Sequence, residues 1–254
     1  MLTRSPGASM LPLALACLAA CAASTGGGLQ QESSPGLRVL FIGNSLTAAN
    51  DLPGMVSALI DSAAAGPIRV STIAYPNYGL EDHWSTGRAR QAISEGEWDF
   101  VVLQQGPSAT EGRPSLLEYS DRFAADIRAH GATPALYMVW PAKARSFDFD
   151  GVSESYRMAA ERVDGLLVPV GDAWRIAWAA DSSLPLYGSD GFHPSPMGSY
   201  LGALVMFGRF TGRSPVGLPS TLSTRLGTVK IDPAVATLLQ EAAAEAVRGV
   251  GRRE

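Results

Sequence analysis

The feature that most constrains the fold is a regular alternation of short apolar runs with segments of helical periodicity. The runs are rich in Val, Ile, Leu and Phe, and they occupy residues 37–43, 68–75, 99–104, 133–139 and 166–170. The helical segments between them occupy residues 47–65, 85–95, 115–129 and 153–163. Short, mostly apolar runs are typical of parallel strands that are buried on both faces. The alternation therefore predicts an α/β fold with right-handed crossovers.

The composition excludes several classes of protein. Of the 254 residues, 46% are hydrophobic and 17% are charged, which is unlike a disordered or collagen-like chain. The formal net charge is −4 and there is no run of Lys or Arg, so we expect no nucleic-acid partner. Without an internal repeat or a change of composition, residues 37–254 are expected to form a single domain.

The few cysteines and histidines exclude most metal sites. Cys17 and Cys21 are the only cysteines, so disulfides, cysteine nucleophiles and cysteine-based zinc sites are excluded from residue 22 onward. Asp148 and Asp150 lie in one loop, but two carboxylates alone do not make a metal site. We expect neither a metal nor another cofactor.

The N-terminal residues have the pattern of an export signal. Arg4 precedes an apolar run over residues 10–20 that is too short to span a bilayer. Residues 1–20 therefore read as a signal peptide. The run Leu18-Ala19-Ala20-Cys21 resembles a bacterial lipobox, in which the cysteine is acylated; the alternative is an ordinary signal that is cleaved after a small-residue triplet. Residues 21–36 then form a flexible tether, and a lipid anchor at Cys21 would be the only membrane contact of this envelope protein.

A serine lies at the end of the first predicted strand. Ser45 follows Gly43 and Asn44 at a strand-to-helix turn, where backbone N–H groups at the helix N-terminus are free and the helix dipole is positive. This is a good position for a nucleophile whose attack produces an oxyanion. The alternative interpretation is that Ser45 only caps the helix.

An Asp–His pair lies far from this serine in sequence. Asp190 and His193 are separated by three positions on a polar turn that precedes an apolar helix beginning near Pro196. The carboxylate can accept a hydrogen bond from one ring nitrogen and leave the other nitrogen as a base. Together with Ser45, these residues form a candidate Ser-His-Asp triad.

At this point the chain resembles the SGNH (GDSL-type) hydrolase superfamily over about residues 37–212. The first family motif corresponds to Gly43-Asn44-Ser45-Leu46, with Asn44 replacing the usual Asp, and the D-x-x-H motif corresponds to Asp190–His193. The resemblance implies a three-layer α/β/α sandwich with a mainly parallel, flavodoxin-like, five-stranded sheet. It also implies ester hydrolysis through an acyl-enzyme, with the backbone N–H groups of Ser45 and Gly79 forming an oxyanion hole.

The third family motif departs from its pattern. The family has Gly-x-Asn after the third strand, whereas this chain has Gly106-Pro107-Ser108. We expect the carboxamide of Gln104 to supply the missing oxyanion donor, with Gln105 and Ser108 as the alternatives. Alternation along a strand predicts that Gln105 points away from the site. A further alternative is a hole made of backbone donors alone.

Other aromatic residues and histidines follow the predicted strands. His83 and Trp140 are candidates for the substrate pocket, and the alternative for His83 is a surface role. His130 ends a predicted helix, where a cation suits the dipole, so its role is structural. Trp174 and Trp178 are four positions apart on a predicted helix and are assigned to the core.

The sequence therefore predicts an exported serine esterase that acts on a small acyl ester, such as an acetyl ester, or on an acylated glycan. Two alternatives are an envelope O-acyltransferase that uses the same triad and a non-catalytic glycan-binding lipoprotein.

Overall fold

The computed structural model describes residues 36–250. The signal peptide, the tether up to residue 35 and the lipidation site at Cys21 lie outside the described residues. The strands are β1 Leu37–Gly43, β2 Ile68–Ala74, β3 Phe100–Leu103, β4 Thr133–Tyr137, β5 Leu166–Val168, β6 Thr221–Thr224 and β7 Gly227–Lys230. The α-helices are α1 Ser45–Ala48, α2 Leu52–Ser62, α3 Leu80–Thr86, α4 Arg88–Glu95, α5 Arg113–Ala129, α6 Phe149–Arg162, α7 Val170–Ala180, α8 Pro196–Thr211 and α9 Pro233–Val250.

The first five strands form one parallel sheet with the order β2-β1-β3-β4-β5. This is the flavodoxin-like strand order. The apolar side chains of β1, β3 and β4 are almost entirely buried, which explains why these strands are continuous apolar runs in the sequence. The predicted fold class is confirmed.

Helices cover both faces of this sheet. On one side α8 packs against α2, α7 and α9, and on the other side α5 packs against α3, α4 and α6. The carboxyl ends of the strands are left for the loops that carry polar side chains, as is usual in open α/β sheets. Within residues 36–250, no helix is long and apolar enough to cross a membrane.

The helix predicted over residues 85–95 is instead two helices, α3 and α4, that meet at Gly87. Two further local features differ from the sequence-based expectation. The helix predicted over residues 47–65 is interrupted by a 3₁₀ turn, Ala49–Asp51, in which Asn50 and Asp51 both have positive φ. In addition, β6 and β7 pair in a small antiparallel hairpin, which the sequence analysis did not predict. The two differences are connected, because the side chain of Asp51 binds the turn of this hairpin at Arg225.

Candidate active site

Ser45 is the first residue of α1, directly after the end of β1. Asn44 caps this helix, because its Oδ1 accepts a hydrogen bond from the N–H of Leu46 at 3.0 Å. Ser45 is thus free of the capping role that was its alternative interpretation. Within the part of the chain that the structure describes, no hydrogen bond engages the N–H of Ser45. This donor is therefore open to a ligand beside the hydroxyl group.

The structure brings Ser45, His193 and Asp190 together. The Oγ of Ser45 lies 2.8 Å from Nε2 of His193, and Nδ1 of His193 lies 2.6 Å from Oδ2 of Asp190. The other carboxylate oxygen of Asp190 accepts the N–H groups of Phe192 and His193, each at 3.0 Å. The hydrogen bond from His193, supported by that from the Phe192 backbone, lowers the pKa of Asp190 to about 2. The ionised carboxylate favours the tautomer in which Nδ1 of His193 is the donor and Nε2 can accept a proton.

The loop that carries His193 packs on the buried indole of Trp140. Its Nε1–H donates to the carbonyl of Phe192 at 3.0 Å, and its ring stacks on Trp174 at 3.7 Å between centroids. Trp140 is only 1% exposed, so it does not line the pocket. The expectation that it forms a pocket wall is wrong, because the loop of His193 closes over the indole.

A cleft of about 510 Å³ opens beside Ser45. Eight of its fourteen lining residues carry an amide, aliphatic hydroxyl or carboxylate side chain, and Tyr78, Pro107 and Phe192 contribute rings. The residues that line it are Asn44, Ser45, Asn77, Tyr78, Gly79, Glu81, Asp82, Gln105, Gly106, Pro107, Ser108, Gly112, Ser115 and Phe192. The residues predicted for the site that are not part of this lining are Asp190, His193, Gln104, His83 and Trp140.

Gly79 is at the position that the family resemblance assigns to the oxyanion hole. It caps α3, and its N–H donates to the carboxylate of Asp82 at 2.8 Å. The preceding carbonyl, that of Tyr78, accepts a hydrogen bond from Nδ2 of Asn44 at 2.9 Å. Asn44 therefore connects the loop of Gly79 to the turn of Ser45, while Asp82 occupies the N–H that the oxyanion would need.

The structure does not support Gln104 as the third oxyanion donor. Its Oε1 accepts hydrogen bonds from the N–H of Asn44 and from Oγ1 of Thr47, both at 2.8 Å, and its Nε2 donates to the carbonyl of Gln105 at 2.6 Å. The side chain is fully buried. A Cβ atom on Gly43 would lie 2.5 Å from Oε1 of Gln104, so only glycine fits at that position of β1. Gln104 thus supports the turn that carries Ser45 from its buried side, through hydrogen bonds with Asn44 and Thr47.

Gln105, in contrast, lines the cleft. Its Nε2 donates to Oγ of Ser108 at 3.0 Å and to the carbonyl of Gly112 at 3.3 Å, while Ser108 donates to the carbonyl of Gly106 at 2.9 Å. The expectation that Gln105 points away from the site is wrong. The reason is that β3 ends at Leu103, so strand alternation does not govern the two glutamines that follow.

His83 also differs from its expected role. It is fully buried, Nε2 lies 2.7 Å from the carbonyl oxygen of Gly43, and its ring packs against the rings of Tyr75 and Tyr78. It lies behind the cleft, so it belongs neither to the pocket nor to the surface. Burial lowers the pKa of His83, although the carbonyl of Gly43 partly offsets this effect.

Solved structures share this architecture. A candidate SGNH hydrolase from Slackia heliotrinireducens is 29% identical, with a TM-score of 0.59 over 69% of this chain and 99% of that one. This confirms the resemblance to the SGNH hydrolase superfamily. A DUF4886 family protein from Bacteroides uniformis is 18% identical, with a TM-score of 0.66 over 84% of this chain and 95% of that one. The lipase/acylhydrolase from Enterococcus faecalis is 15% identical, with a TM-score of 0.58 over 72% and 97%. The SGNH neighbours support a hydrolase.

The sequence itself matches no protein-family model and no curated protein. The likeness to SGNH hydrolases therefore rests on the fold and on the site. The Asn44 substitution in the first SGNH motif is explained by the structure, since an amide can cap α1 with its oxygen and donate to Tyr78 with its nitrogen. An aspartate at this position would lack the donor.

Several residues of the site were not expected from the sequence, among them Asp82, Tyr156 and Phe192. The hydroxyl of Tyr156 donates to the carbonyl of Gln105 at 2.6 Å and supports the wall of the cleft from α6. Phe192 lines the cleft beside His193. Phe192 lies inside the D-x-x-H motif and could have been inferred from it, whereas Tyr156 is about 50 residues from its partner and carries no local signal.

The remaining assignments concern residues away from the cleft. His130 follows the last residue of α5, and its Nδ1 lies 2.8 Å from the carbonyl oxygen of Asp126. Trp174 is fully buried and Trp178 packs partly buried beside it. Among residues 36–250, no group of three or more His, Cys, Asp or Glu side chains is arranged to hold a metal ion.

Proposed function

We propose that this chain is an exported serine esterase. The single observation that carries the proposal is the chain of hydrogen bonds from Ser45 through His193 to Asp190 at the rim of a cleft. An open N–H at the same serine supports it further, because the attack of Ser45 places negative charge on the carbonyl oxygen of the substrate.

In the proposed reaction, Nε2 of His193 takes the proton of Ser45 while Oγ attacks the ester carbonyl carbon. The N–H groups of Ser45 and Gly79 stabilise the oxyanion, the latter once the carboxylate of Asp82 has moved aside. The tetrahedral intermediate collapses, and His193 returns the proton to the departing alcohol. Water, deprotonated by His193, then attacks the acyl carbon. The bond between this carbon and Oγ of Ser45 breaks, the acid leaves, and His193 returns the proton to Ser45. Asp190 keeps the imidazole in the required tautomer throughout.

The character of the cleft favours a short acyl group on a hydroxyl-rich alcohol. Eight of the fourteen lining residues carry an amide, aliphatic hydroxyl or carboxylate side chain, and these groups can bind the hydroxyl groups of such an alcohol. An acetylated or otherwise acylated glycan has the matching chemistry. A neighbour with this fold is described as a lipase/acylhydrolase, which is the same class of ester chemistry.

The proposed function is tested with a series of esters from acetyl to long-chain acyl, using wild type and Ser45→Ala. Ser94→Ala is a matched control, since Ser94 is an exposed helix serine that bonds only to the carbonyl of Gln91. We expect hydrolysis of the shortest esters by wild type and by the control but not by Ser45→Ala. Labelling by a fluorophosphonate should require Ser45.

If wild type neither hydrolyses these esters nor becomes labelled, the enzyme proposal is wrong and a glycan-binding role takes its place. Transfer of the acyl group to an added sugar in preference to water would instead identify a transferase.

We further propose that the protein is anchored in the bacterial envelope through a lipid on Cys21. The lipobox-like run supports this proposal. Wild type is expected in the membrane or detergent fraction, and Cys21→Ser is expected to be released or left unprocessed. A mature N-terminus at an unmodified residue beyond Cys21 would contradict the anchor and leave the esterase proposal untouched.

A further inference from the structure

The backbone turns sharply between the helix of Ser45 and α2. Asn50 has φ 54° and ψ 20°, and Asp51 has φ 55° and ψ 49°, so two consecutive residues adopt the left-handed conformation without being glycine. Asn and Asp tolerate this conformation better than other side chains, but such residues persist only where their surroundings hold them. The reason for this kink must therefore lie in what its side chains contact.

The side chain of Asn50 reaches the loop of the candidate base. Its Nδ2 donates to the carbonyl of Pro194 and to Oγ of Ser199, both at 2.9 Å. Pro194 directly follows His193. Apart from the hydrogen bond between Ser45 and His193, no other hydrogen bond among the described residues joins residues 44–51 to residues 186–199. Among the described residues, Asn50 thus makes the only hydrogen bonds between these two segments besides the one between Ser45 and His193 themselves.

The neighbouring residue holds the kink in place. The carboxylate of Asp51 is 2% exposed, and it accepts hydrogen bonds from the backbone N–H of Arg225 at 3.0 Å and from its Nη2 at 2.6 Å. A Cβ atom on Gly54 would lie 2.2 Å from Oδ2 of Asp51, so the carboxylate fills the space that this glycine leaves. The hairpin of β6 and β7 therefore fixes Asp51, and through it the backbone of Asn50.

We propose that Asn50 is a positioning residue for the esterase reaction, one that sets the place of His193 relative to Ser45. This inference rests on the proposed function. Nε2 of His193 has to take a proton from Ser45 and then deliver it to the departing alcohol, so a small displacement of its loop affects both transfers. The two hydrogen bonds of Asn50 fix the carbonyl next to His193 from the same segment that carries Ser45. In the kinked conformation, the carboxamide of Asn50 points toward this loop.

The test compares two acetate esters that differ in their need for a proton at the leaving group. p-Nitrophenolate leaves without protonation, whereas ethoxide requires it. Asn50→Gly keeps the positive φ and removes the carboxamide, and Asn50→Asp keeps the size and removes the donor. For both variants we expect kcat/KM to fall about 100-fold for ethyl acetate and about tenfold for p-nitrophenyl acetate. Arg225→Gln, which loosens the kink without touching Asn50, should shift the two values in the same direction by a smaller factor.

Ala64→Gly is the matched control, because Ala64 is an exposed residue with φ 46° that lies outside the site. It should leave both values unchanged, and thermal melts show whether each variant is folded. Wild-type activity in Asn50→Gly would overturn this inference alone. An equal loss on both esters that follows the loss of folded protein would also overturn it, since Asn50 would then act only on stability. A wild type that is inert on both esters would overturn the proposed function and this inference with it.

Discussion

The carboxylate of Asp82 accepts the N–H of Gly79 at 2.8 Å, at the edge of the cleft that holds Ser45. Asp82 is exposed, so this bond can open when a ligand arrives. In the ligand-free protein, one of the two backbone donors of the proposed oxyanion hole is thus satisfied by a negatively charged side chain. The same charge would repel a developing oxyanion.

Asp82→Asn tests this relationship. Its amide oxygen can still accept the N–H of Gly79, so the cap of α3 is preserved, but the negative charge is lost. We expect kcat on a short-chain ester to rise by about three- to tenfold, because removing a nearby like charge is worth about 1 kcal/mol at a surface site. Michaelis kinetics of the variant and of wild type measure this change in kcat. A fall in kcat would mean that the carboxylate orients Gly79 productively and does not compete with the oxyanion.

The proposed triad predicts non-additive losses. Ser45→Ala and His193→Ala should each lower kcat by on the order of 10⁴ or more, and the double variant should lose little further, since the residues act as a unit. Asp190→Ala should have a milder effect and lower kcat by on the order of 10³. Single-turnover and steady-state kinetics of the four variants give these values. Losses that multiply in the double variant would show that Ser45 and His193 do not cooperate.

The pKa of Asp190 gives a prediction for pH. Because hydrogen bonds from His193 and from the Phe192 backbone lower this pKa to about 2, the carboxylate stays ionised through the range in which esterases are assayed. The lowered pKa means that its stabilisation of the loop is present above about pH 4, the ordinary carboxyl range, and is lost as the pH falls toward 2. Asp190→Asn should therefore lower kcat/KM throughout the range above pH 4, because it removes the carboxylate that keeps His193 in the required tautomer, and pH profiles of both proteins measure this loss. Activity of Asp190→Asn equal to that of wild type above pH 4 would contradict this prediction.

Gln104→Ala should act on stability as well as on rate. The substitution leaves the N–H of Asn44 and the hydroxyl of Thr47 without their buried acceptor, which costs about 1–3 kcal/mol for an unsatisfied group. We expect a lower melting temperature together with a lower kcat. Gln104→Glu keeps the acceptor oxygen but replaces the Nε2 donor by an oxygen that faces the carbonyl of Gln105, so it should not recover the stability. A variant that keeps its melting temperature while kcat falls about 100-fold would restore Gln104 as a direct oxyanion donor.

The pair of Asp51 and Arg225 gives a stability prediction. Burial alone would raise the pKa of Asp51, but the hydrogen bonds and charge of Arg225 outweigh it and hold this pKa below its usual value. Arg225→Gln should lower the free energy of unfolding by about 1–3 kcal/mol at neutral pH, because the buried carboxylate loses its charged partner. A lowered pKa means stability that is present above about pH 4 and lost as the pH falls through the folded-state value. Denaturant melts of wild type and Arg225→Gln at pH 7 and pH 3 measure the difference in their free energies of unfolding. This difference should be smaller at pH 3 than at pH 7. A difference that is constant with pH would exclude the ion pair as its source.

The sequence by itself determined the fold class and the three residues of the proposed triad. The fold followed from apolar runs that alternate with helical periodicity, a pattern set by neighbours along the chain. Ser45 was found because it follows a strand, and Asp190 with His193 because their spacing fits one turn. Each of these signals is local, and the carboxyl ends of parallel strands meet at one edge, so local positions were enough to bring them together.

Only the tertiary structure decided which polar side chains face the cleft. Gln104 and Gln105 are adjacent in sequence, yet one supports the turn of Ser45 and the other lines the pocket, because β3 ends before either of them. His83 was placed behind the cleft by its bond to the carbonyl of Gly43, a partner 40 residues away. The tie from Asn50 to Pro194 spans 144 residues. Such contacts depend on how whole elements pack, and no pattern of neighbouring residues encodes them.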